Sequence, residues 1–226
     1  MSASVVDATV PIEARSLYRF FRAGEEETLA LRGVSLRMAP GEFVALVGPS
    51  GSGKSTLLSC LAGTEEPDGG VVRVRDTRLS HQTEAVRARM RGRYIGLLFQ
   101  SHNLLAHLTV RQNVLLARRL ARAGRPAPIV SLLDSLGITR RAHAYPGQLS
   151  GGELARAGLA VALANDPLVL LADEPTGELD HATERGVLDL LRTRAAAGVA
   201  VLVASHSPAV AALADRVIRL IDGQVV

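Results

Sequence analysis

Three observations in the sequence predict an α/β fold with a mostly parallel core sheet flanked by helices. A predicted strand at 43–47 leads into a glycine-rich loop, and that loop leads into a helix that ends at Gly63. A second apolar run, at 168–172, is uninterrupted, which is typical of a strand buried on both faces of a parallel sheet. A third apolar run, at 199–204, follows a predicted helix and, like the second, ends in polar residues.

The residues before the glycine-rich loop predict an antiparallel β subdomain. Residues 13–21 form a candidate strand, and a turn follows at 23–24. Apolar and polar residues alternate over 34–38, and a Pro-Gly turn then leads the chain into 43–47, which is a hairpin pattern. The same alternation at 72–75 indicates a further, half-exposed strand.

The segment from about 100 to 165 predicts a helical subdomain within a single domain that spans residues 1–226. A capping box at 109–112 opens a first helix. Glycine and proline residues separate this helix from a second one at 129–136.

The remaining segments continue the alternation of strands and helices. The arginine-rich segment 84–93 is predicted to be a solvated helix end, and 94–99 a buried strand. Further helices are predicted at 151–164 and 183–196. The chain closes with a hairpin at 217–226 that turns at an Asp-Gly pair.

The composition restricts the classes of function. With 226 residues, 47% of them hydrophobic, the chain is large enough to bury a core. The net charge of +4 comes from arginines spread along the chain, and no cluster of basic and aromatic residues predicts nucleic-acid binding. Cys60 is the only cysteine, and the histidines form no convincing ligand set, so neither a disulfide framework nor a transition-metal site is expected.

No apolar run approaches the roughly 20 residues that a membrane-spanning helix needs. The N-terminus does not resemble a signal peptide. The chain is therefore expected to be soluble and cytoplasmic, unless a partner holds it at a membrane.

The glycine-rich loop has the pattern G-x-x-x-x-G-K-S between a strand and a helix, which predicts a phosphate cradle. Its glycines allow consecutive backbone N–H groups to face one concavity, and the helix N-terminus adds partial positive charge. Lys54 is placed to reach the terminal phosphates of a nucleotide, and the Ser55 hydroxyl to bind Mg²⁺. The predicted cradle consists of Gly48, Pro49, Ser50, Gly51, Ser52, Gly53, Lys54, Ser55 and Thr56.

Lys54 is the only lysine among the 26 lysine and arginine residues of the chain. A compact ammonium group on a flexible stem can enter a nest of backbone N–H groups, whereas a planar guanidinium does not fit there. The presence of a lysine at position 54, in a chain whose other basic residues are arginines, therefore supports the phosphate cradle.

Polar groups follow each of three apolar strands at its carboxyl end: the glycine-rich loop, the pair Asp173-Glu174, and His206. In open parallel sheets, ligands bind beyond these strand ends, so the three groups are expected to converge on one nucleotide. Asp173 is placed to hold Mg²⁺ together with Ser55. Glu174 is placed to orient or deprotonate an attacking water.

A second loop leads into a helix at Leu149-Ser150-Gly151-Gly152-Glu153, and its helix N-terminus is a further site for phosphate. With this loop, the chain resembles the ATP-binding subunits of ABC transporters over residues 12–226. The resemblance implies ATP and Mg²⁺ as ligands, and ATP hydrolysis. It also implies a head-to-tail dimer with a second copy of the chain, or with a paralogue, in which ATP is sandwiched. In such a dimer Ser150, Gly151 and Gly152 serve the nucleotide of the opposite subunit.

The resemblance implies roles for four more residues. Gln100 is similar to the family's glutamine at the Mg²⁺ ion and the transport interface. Asp180 is similar to an acidic residue that touches the opposite subunit, and His206 to the switch histidine near the γ-phosphate. Phe21 lies where the family places an aromatic side chain on the adenine ring, with Tyr18 as the rival for that role.

Within the family, the segments 99–105 and 172–177 are most similar to the lipoprotein-release and macrolide-export branch. The chain departs from the family pattern at Glu153, Leu154-Ala155, Val161 and Ser207, where Ser207 replaces the usual Asp after the switch histidine. None of these departures removes a catalytic group.

The resemblance implies a transmembrane permease subunit as partner, and hence a peripheral position on the cytoplasmic face of the cell membrane. Residues about 100–149 are expected to bind a cytoplasmic helix of that subunit, and export or extraction of amphiphilic molecules is the expected process. An ABC ATPase that transmits force or a signal without moving cargo stays open as an alternative. Family members that act on DNA or ribosomes are disfavoured, because they need a long coiled coil or a second cassette, and this sequence has neither.

Overall fold

The computed structural model describes residues 10–23, 26–99, 103–121 and 126–226, which form an α/β fold with two sheets. The strands are β1 (Ile12–Ala23), β2 (Glu26–Met38), β3 (Phe43–Val47), β4 (Gly69–Val74), β5 (Thr77–Arg78), β6 (Ile95–Leu98), β7 (Val169–Asp173), β8 (Ala200–Ala204), β9 (Arg216–Ile221) and β10 (Gln224–Val225). The helices are α1 (Lys54–Ala62), α2 (Glu84–Tyr94), α3 (Val110–Ala121), α4 (Ile129–Ser135), α5 (Gly151–Ala162), α6 (His181–Ala196) and α7 (Pro208–Leu213). In these ranges no helix is both long enough and apolar enough to cross a membrane.

A six-stranded sheet in the order β10-β9-β3-β8-β7-β6 forms the centre of the fold. Its strands pair in parallel, except that β10 is antiparallel to β9. One face of this sheet packs on α1, and the other packs on α5 and α6, so β3, β7 and β8 are almost wholly apolar and buried. The predicted α/β class with a mostly parallel core sheet is confirmed.

The second sheet is antiparallel, in the order β2-β1-β4-β5, and its apolar face packs on α1. Strand residues alternate between this buried face and solvent, as the period-2 pattern predicted. The buried members of the predicted alternation are Val34, Leu36, Met38, Val72 and Val74.

The helical subdomain consists of α3, α4 and α5, whose apolar side chains join the cluster on the second face of the core sheet. The capping box before α3 is present: Thr109 N–H donates to Gln112 Oε1 (2.8 Å), and Gln112 N–H donates to Thr109 Oγ1 (3.3 Å). Asn113 is buried, and its amide donates to backbone carbonyls of Leu105 and Leu108. These bonds fix the path of the chain into α3.

One helix differs from its prediction in extent. Residues 84–93 belong to a complete helix, α2, which also includes Tyr94, and the strand begins only at Ile95. The apolar side of α2 explains its extent, because Met90 is buried and Val86 and Tyr94 pack against the core cluster. On the polar side Arg87 donates to both Glu66 and Glu84, and the helix remains exposed to solvent there.

A second helix, α7, has no counterpart among the predicted elements. Ser207 caps it, since the Ser207 hydroxyl accepts a hydrogen bond from Ala209 N–H (3.2 Å), and Pro208 occupies the first turn. A Ser-Pro pair is a known helix-start signal in sequence.

Candidate active site

A cleft of about 500 Å³ lies at the carboxyl ends of β3, β7 and β8. The structure brings together in it the glycine-rich loop, the Asp173-Glu174 pair and His206, as expected from the three strand ends. Ser52 is buried within the loop. The cleft is lined by Phe21, Ala30, Gly48, Pro49, Ser50, Gly51, Gly53, Lys54, Ser55, Thr56, Asp173, Glu174 and His206.

Two glycines of the loop are required by close backbone approach. A Cβ at Gly48 would lie 2.1 Å from the carbonyl oxygen of Leu220. Gly53 has φ 100°, and a Cβ there would lie 2.4 Å from the carbonyl oxygen of Ala30. Because Gly53 is the N-cap of α1, the first N–H groups of that helix have no partner inside it, and their partial positive charge suits an anion.

The Lys54 side chain folds back over the loop. Its ammonium group donates to the carbonyl oxygens of Gly48 (2.9 Å) and Pro49 (3.0 Å). An ammonium has three N–H donors, so within the described residues one remains for a phosphate oxygen. The loop therefore presents one positive charge beside the N-terminus of α1.

Ser55 and Asp173 offer hard oxygen ligands in the same cleft. Among the described residues, no group of three or more His, Cys, Asp and Glu side chains could hold a metal ion. Mg²⁺ does not need such a group, because it usually takes one or two protein ligands together with waters and substrate phosphates. One hydroxyl and one carboxylate next to a phosphate cradle fit Mg²⁺.

Glu174 follows β7 directly and has a left-handed backbone, with φ 45°. Such a conformation costs a non-glycine residue roughly 1–3 kcal/mol, and strain of this kind concentrates at functional sites. The bond from Glu174 N–H to the Ala204 carbonyl (2.9 Å) holds the residue against the end of β8. His206 Nδ1 lies 3.0 Å from Glu174 Oε1, so the two predicted catalytic side chains are in contact.

Ser205 is a functional candidate that sequence analysis missed. It is buried, and its hydroxyl donates to Glu174 Oε2 (3.0 Å), so Ser205 and His206 hold the two oxygens of one carboxylate. The available signal was its position: it follows a buried strand and precedes the predicted switch histidine. Only the structure shows that its side chain turns toward the end of β7.

Phe21 lines the cleft, whereas Tyr18 lies elsewhere. The Arg19 guanidinium lies over the Phe21 ring, 4.8 Å from its centroid, and is held by Asp68 and Glu65. Tyr18 instead packs against the backbone at Gly33 and Gly69. Of the two aromatic residues considered for the adenine ring, Phe21 is thus the one beside the phosphate loop.

Ser150, Gly151, Gly152 and Asp180 lie together in a second cleft, the signature cleft, which is also lined by Glu153. Ser150 caps α5, with Glu153 N–H donating to its hydroxyl (3.3 Å) and Ser150 N–H donating to Glu153 Oε2 (2.9 Å). This reciprocal pair is a capping box. The Arg141 guanidinium bound to Glu153 holds the pKa of that carboxyl below its usual value.

Asp180 caps α6 beside this loop. Its carboxylate accepts hydrogen bonds from the N–H groups of Ala182 and Thr183 (both 3.0 Å) and from the Thr183 hydroxyl (2.6 Å). The Thr183 hydroxyl is the main reason why the pKa of Asp180 lies below its usual value. In the described part of the chain, the four predicted residues of the signature cleft do not line the phosphate-loop cleft, although Gly151 and Glu174 line a common groove.

Gln100, predicted both as a ligand of Mg²⁺ and as a catalytic residue, lies outside the described residues. The residues on either side of the gap are close to the site. Phe99 N–H donates to the Asn103 side chain (2.7 Å), and both residues line a groove that Glu174 also lines.

The similarity of this chain to known proteins agrees with the geometry of the two clefts. The ABC transporter family model matches residues 31–177. The lipoprotein-releasing system ATP-binding protein LolD of Paramagnetospirillum magneticum is 42% identical over 215 residues, which cover 93% of this chain and 95% of LolD. The macrolide export ATP-binding/permease protein MacB of Azoarcus sp. is 42% identical over an alignment that covers 100% of this chain and 35% of MacB. The chain thus spans about a third of MacB but nearly all of LolD.

A solved structure agrees with these relatives. It is the dimeric, post-hydrolysis state of the ATP-binding cassette MJ0796 bound to ADP and Pi, and it has a TM-score of 0.86 to this chain. The sequences are 34% identical, and the match covers 95% of this chain and 96% of MJ0796.

Proposed function

This chain belongs to the ABC transporter family as a nucleotide-binding ATPase cassette, and we propose that it hydrolyses ATP to drive a separate transmembrane subunit. The main support is that the glycine-rich loop, Asp173, Glu174 and His206 line one cleft. A phosphate cradle with a lysine, a carboxylate that can hold Mg²⁺ and a residue that can position water are the recurring parts of sites for phosphoryl transfer.

The phosphates of ATP bind to the N-terminus of α1, where backbone N–H groups and Lys54 offset their negative charge. Mg²⁺, held by the Ser55 hydroxyl and the Asp173 carboxylate, would supply further positive charge to the phosphates. The adenine ring stacks on Phe21 at the end of the cleft formed by β1.

Glu174 orients the attacking water and takes its proton. Ser205 holds Oε2 of this carboxylate, and His206 holds Oε1. Because the His206 side chain is 74% exposed, it can turn away and leave Oε1 to the water. Since His206 already lines the cleft, the freed imidazole is placed to contact the terminal phosphate.

The signature cleft serves the nucleotide of a second copy of the chain. Ser150, Gly151 and Gly152 form a helix N-terminus, which favours phosphate, but the catalytic carboxylate lies in the other cleft. A head-to-tail dimer places each signature cleft against the phosphate loop of the opposite copy. Support comes from MJ0796, whose post-hydrolysis state is dimeric.

The membrane partner docks on the helical subdomain, near residues 100–149. LolD is named as the ATP-binding protein of a lipoprotein-releasing system, and MacB as an ATP-binding/permease protein for macrolide export. By that analogy the chain lies peripherally at the cytoplasmic face of the membrane and powers export or extraction. The groove next to Phe99 and Glu174 connects this surface with the hydrolysis site, which is the arrangement that coupling of the two requires.

Charge reversal on the helical subdomain tests the partner. Arg111 and Arg119 are exposed on α3. Arg118 is unsuitable for the test, because its guanidinium donates to the carbonyls of Ala164 and Ala127. Arg111→Glu combined with Arg119→Glu should remove crosslinks from α3 to an integral membrane protein and leave basal ATP hydrolysis unchanged. The partner proposal is wrong if crosslinks from α3 of the unaltered chain in native membranes reach only soluble proteins.

Glu174→Gln tests hydrolysis. The amide keeps the size of the side chain but is not a base, so turnover should fall by roughly 10²–10⁴ while ATP binding is retained. Steady-state ATPase assays and equilibrium binding of a fluorescent ATP analogue measure the two effects. Asp189→Asn, an exposed position on α6, is the matched control. Near-normal turnover of Glu174→Gln would contradict the assignment of the base.

A further inference from the structure

Glu184 is a carboxylate on α6 that is only 9% exposed. Its Oε1 accepts hydrogen bonds from the Ser207 hydroxyl (2.7 Å) and the Thr176 hydroxyl (3.3 Å), and its Oε2 lies 3.6 Å from His181 Nδ1. The bond from Ser207 is the main reason why the pKa of Glu184 lies below its usual value. A buried charge is tolerated only with such partners, so this group is bound into a specific arrangement.

Two serines connect Glu184 to the proposed base. The Ser207 hydroxyl donates to Glu184, while Ser207 N–H donates to the Ser205 hydroxyl (3.0 Å). The Ser205 hydroxyl in turn donates to Glu174 Oε2 (3.0 Å). Ser205 is 1% exposed, so water does not compete for these bonds. The Ser205 hydroxyl oxygen accepts the Ser207 N–H, so its own hydrogen is left to point at Glu174 Oε2.

The Glu184 carboxylate reaches the loop after β8 from outside that loop. Residues 205–207 are Ser-His-Ser, so the loop has no carboxylate of its own at these positions. Glu184 brings one to within 2.7 Å of Ser207 from a different element. The helix that brings it, α6, is capped by Asp180, which lies in the signature cleft.

We propose that Glu184 is a positioning residue for ATP hydrolysis, which acts through Ser207 and Ser205 to hold the Glu174 carboxylate in the orientation that serves the attacking water. This inference rests on the proposed function of Glu174 as the base. It adds that the accepting oxygen of Glu184 on α6 holds the loop after β8 in place through its hydrogen bond with Ser207. Since α6 starts in the signature cleft, movement of that helix reaches the base through the same bonds.

Steady-state kinetics of four chains tests this role: the unaltered protein, Glu184→Ala, Glu184→Gln and the control Asp189→Ala. A small misplacement of a catalytic group is costly, so Glu184→Ala should lower kcat by about tenfold, with KM for ATP changed by less than about twofold. Glu184→Gln keeps an oxygen that accepts from Ser207 and should retain most of the activity. Asp189→Ala removes an exposed carboxylate from the same helix and should have no effect.

A second background separates positioning from general damage. In Glu174→Gln the group that is positioned has lost its role as a base, so adding Glu184→Ala should lower the residual single-turnover rate no further. If Glu184→Ala does not fold, Ser207→Ala interrupts the same series from the other side and should lower kcat by a similar factor.

The proposal is overturned if folded Glu184→Ala matches Asp189→Ala, if the Gln and Ala variants lose activity equally, or if the losses multiply in the Glu174→Gln background. Any of these results leaves the proposed function intact as long as Glu174→Gln itself is inactive. Absence of ATP hydrolysis by the unaltered chain would instead contradict the proposed function.

Discussion

The two clefts of this molecule both present a helix N-terminus, but they differ in what surrounds it. In the phosphate-loop cleft, α1 begins beside the Lys54 ammonium, two carboxylates and an imidazole, which come from three strand ends. In the signature cleft, α5 begins beside the N-terminus of α6, and the nearby carboxylates, Glu153 and Asp180, are used as helix caps.

This difference indicates that the two clefts have different roles. The first cleft has groups that can bind phosphates and also activate water, whereas the second has the donors to bind phosphate, and two of its carboxylates, Glu153 and Asp180, already accept hydrogen bonds from backbone N–H groups. The second cleft is thus suited to completing a site on another copy of the chain. Variants that damage one cleft at a time can separate the two roles.

The largest effect is expected in the phosphate-loop cleft, from Lys54→Arg. The guanidinium keeps the charge but does not fit the space in which the ammonium donates to Gly48 and Pro49. The charge-assisted hydrogen bond of the ammonium to a phosphate oxygen, about 1.5–3 kcal/mol, is lost, and the larger guanidinium also disturbs the loop carbonyls that the ammonium binds, so ATP affinity should fall by about 100-fold or more. Equilibrium titration with a fluorescent ATP analogue measures the loss.

Arg219→Lys, the opposite exchange at an exposed position, serves as the control and should leave affinity unchanged. If Lys54→Arg binds ATP as well as the unaltered chain, the loop is roomier than its hydrogen bonds indicate. The contrast between the two clefts would then not depend on the lysine.

A smaller effect is expected at the edge of the same cleft, from Phe21→Ala. Loss of stacking on the adenine ring should weaken ATP binding by about 1–3 kcal/mol, the range for bases stacked on aromatic side chains. Tyr18→Ala is the matched control and should change ATP affinity little, because Tyr18 packs on Gly33 and Gly69. A larger loss in Tyr18→Ala than in Phe21→Ala would assign the adenine ring to Tyr18.

Much of the phosphate-loop cleft could be predicted from sequence because its parts are local patterns. The glycine-rich loop is contiguous, and Asp173, Glu174 and His206 each follow an apolar run that is recognisable as a strand. Parallel pairing of β3, β7 and β8 then places all these strand ends at one edge of the sheet. Strand period and sheet topology were sufficient for this inference.

What could not be predicted depends on side-chain direction between distant elements. Glu184 lies within an ordinary helical pattern, and only the packing of α6 against the loop after β8 directs it to Ser207. The extent of α2 likewise depends on packing, because Met90 is buried in the core cluster, although the arginine-rich sequence looks like a solvated segment. In both cases the deciding partner comes from another element, so local propensity does not reveal it.

The most direct test of the division between the clefts is ATP-driven dimerisation of a chain that carries Glu174→Gln, with and without Gly151→Asp. Gly151 is exposed at the first position of α5, and its φ is not in the left-handed region. A Cβ there would lie 3.3 Å from the Leu179 side-chain end, which can shift, so an Asp is compatible with the fold. Its negative charge repels a phosphate from the opposite copy, and juxtaposed like charges cost several kcal/mol. Gly147→Asp, with open space around the position, is the matched control.

Size-exclusion chromatography with light scattering should show an ATP-dependent dimer for Glu174→Gln alone and for the Gly147→Asp control. With Gly151→Asp the chain should stay monomeric, although its own phosphate-loop cleft still binds the fluorescent ATP analogue with unchanged affinity. A dimer that persists with Gly151→Asp, or a loss of ATP affinity in the monomer, would contradict the assignment of the signature cleft to the nucleotide of the opposite copy.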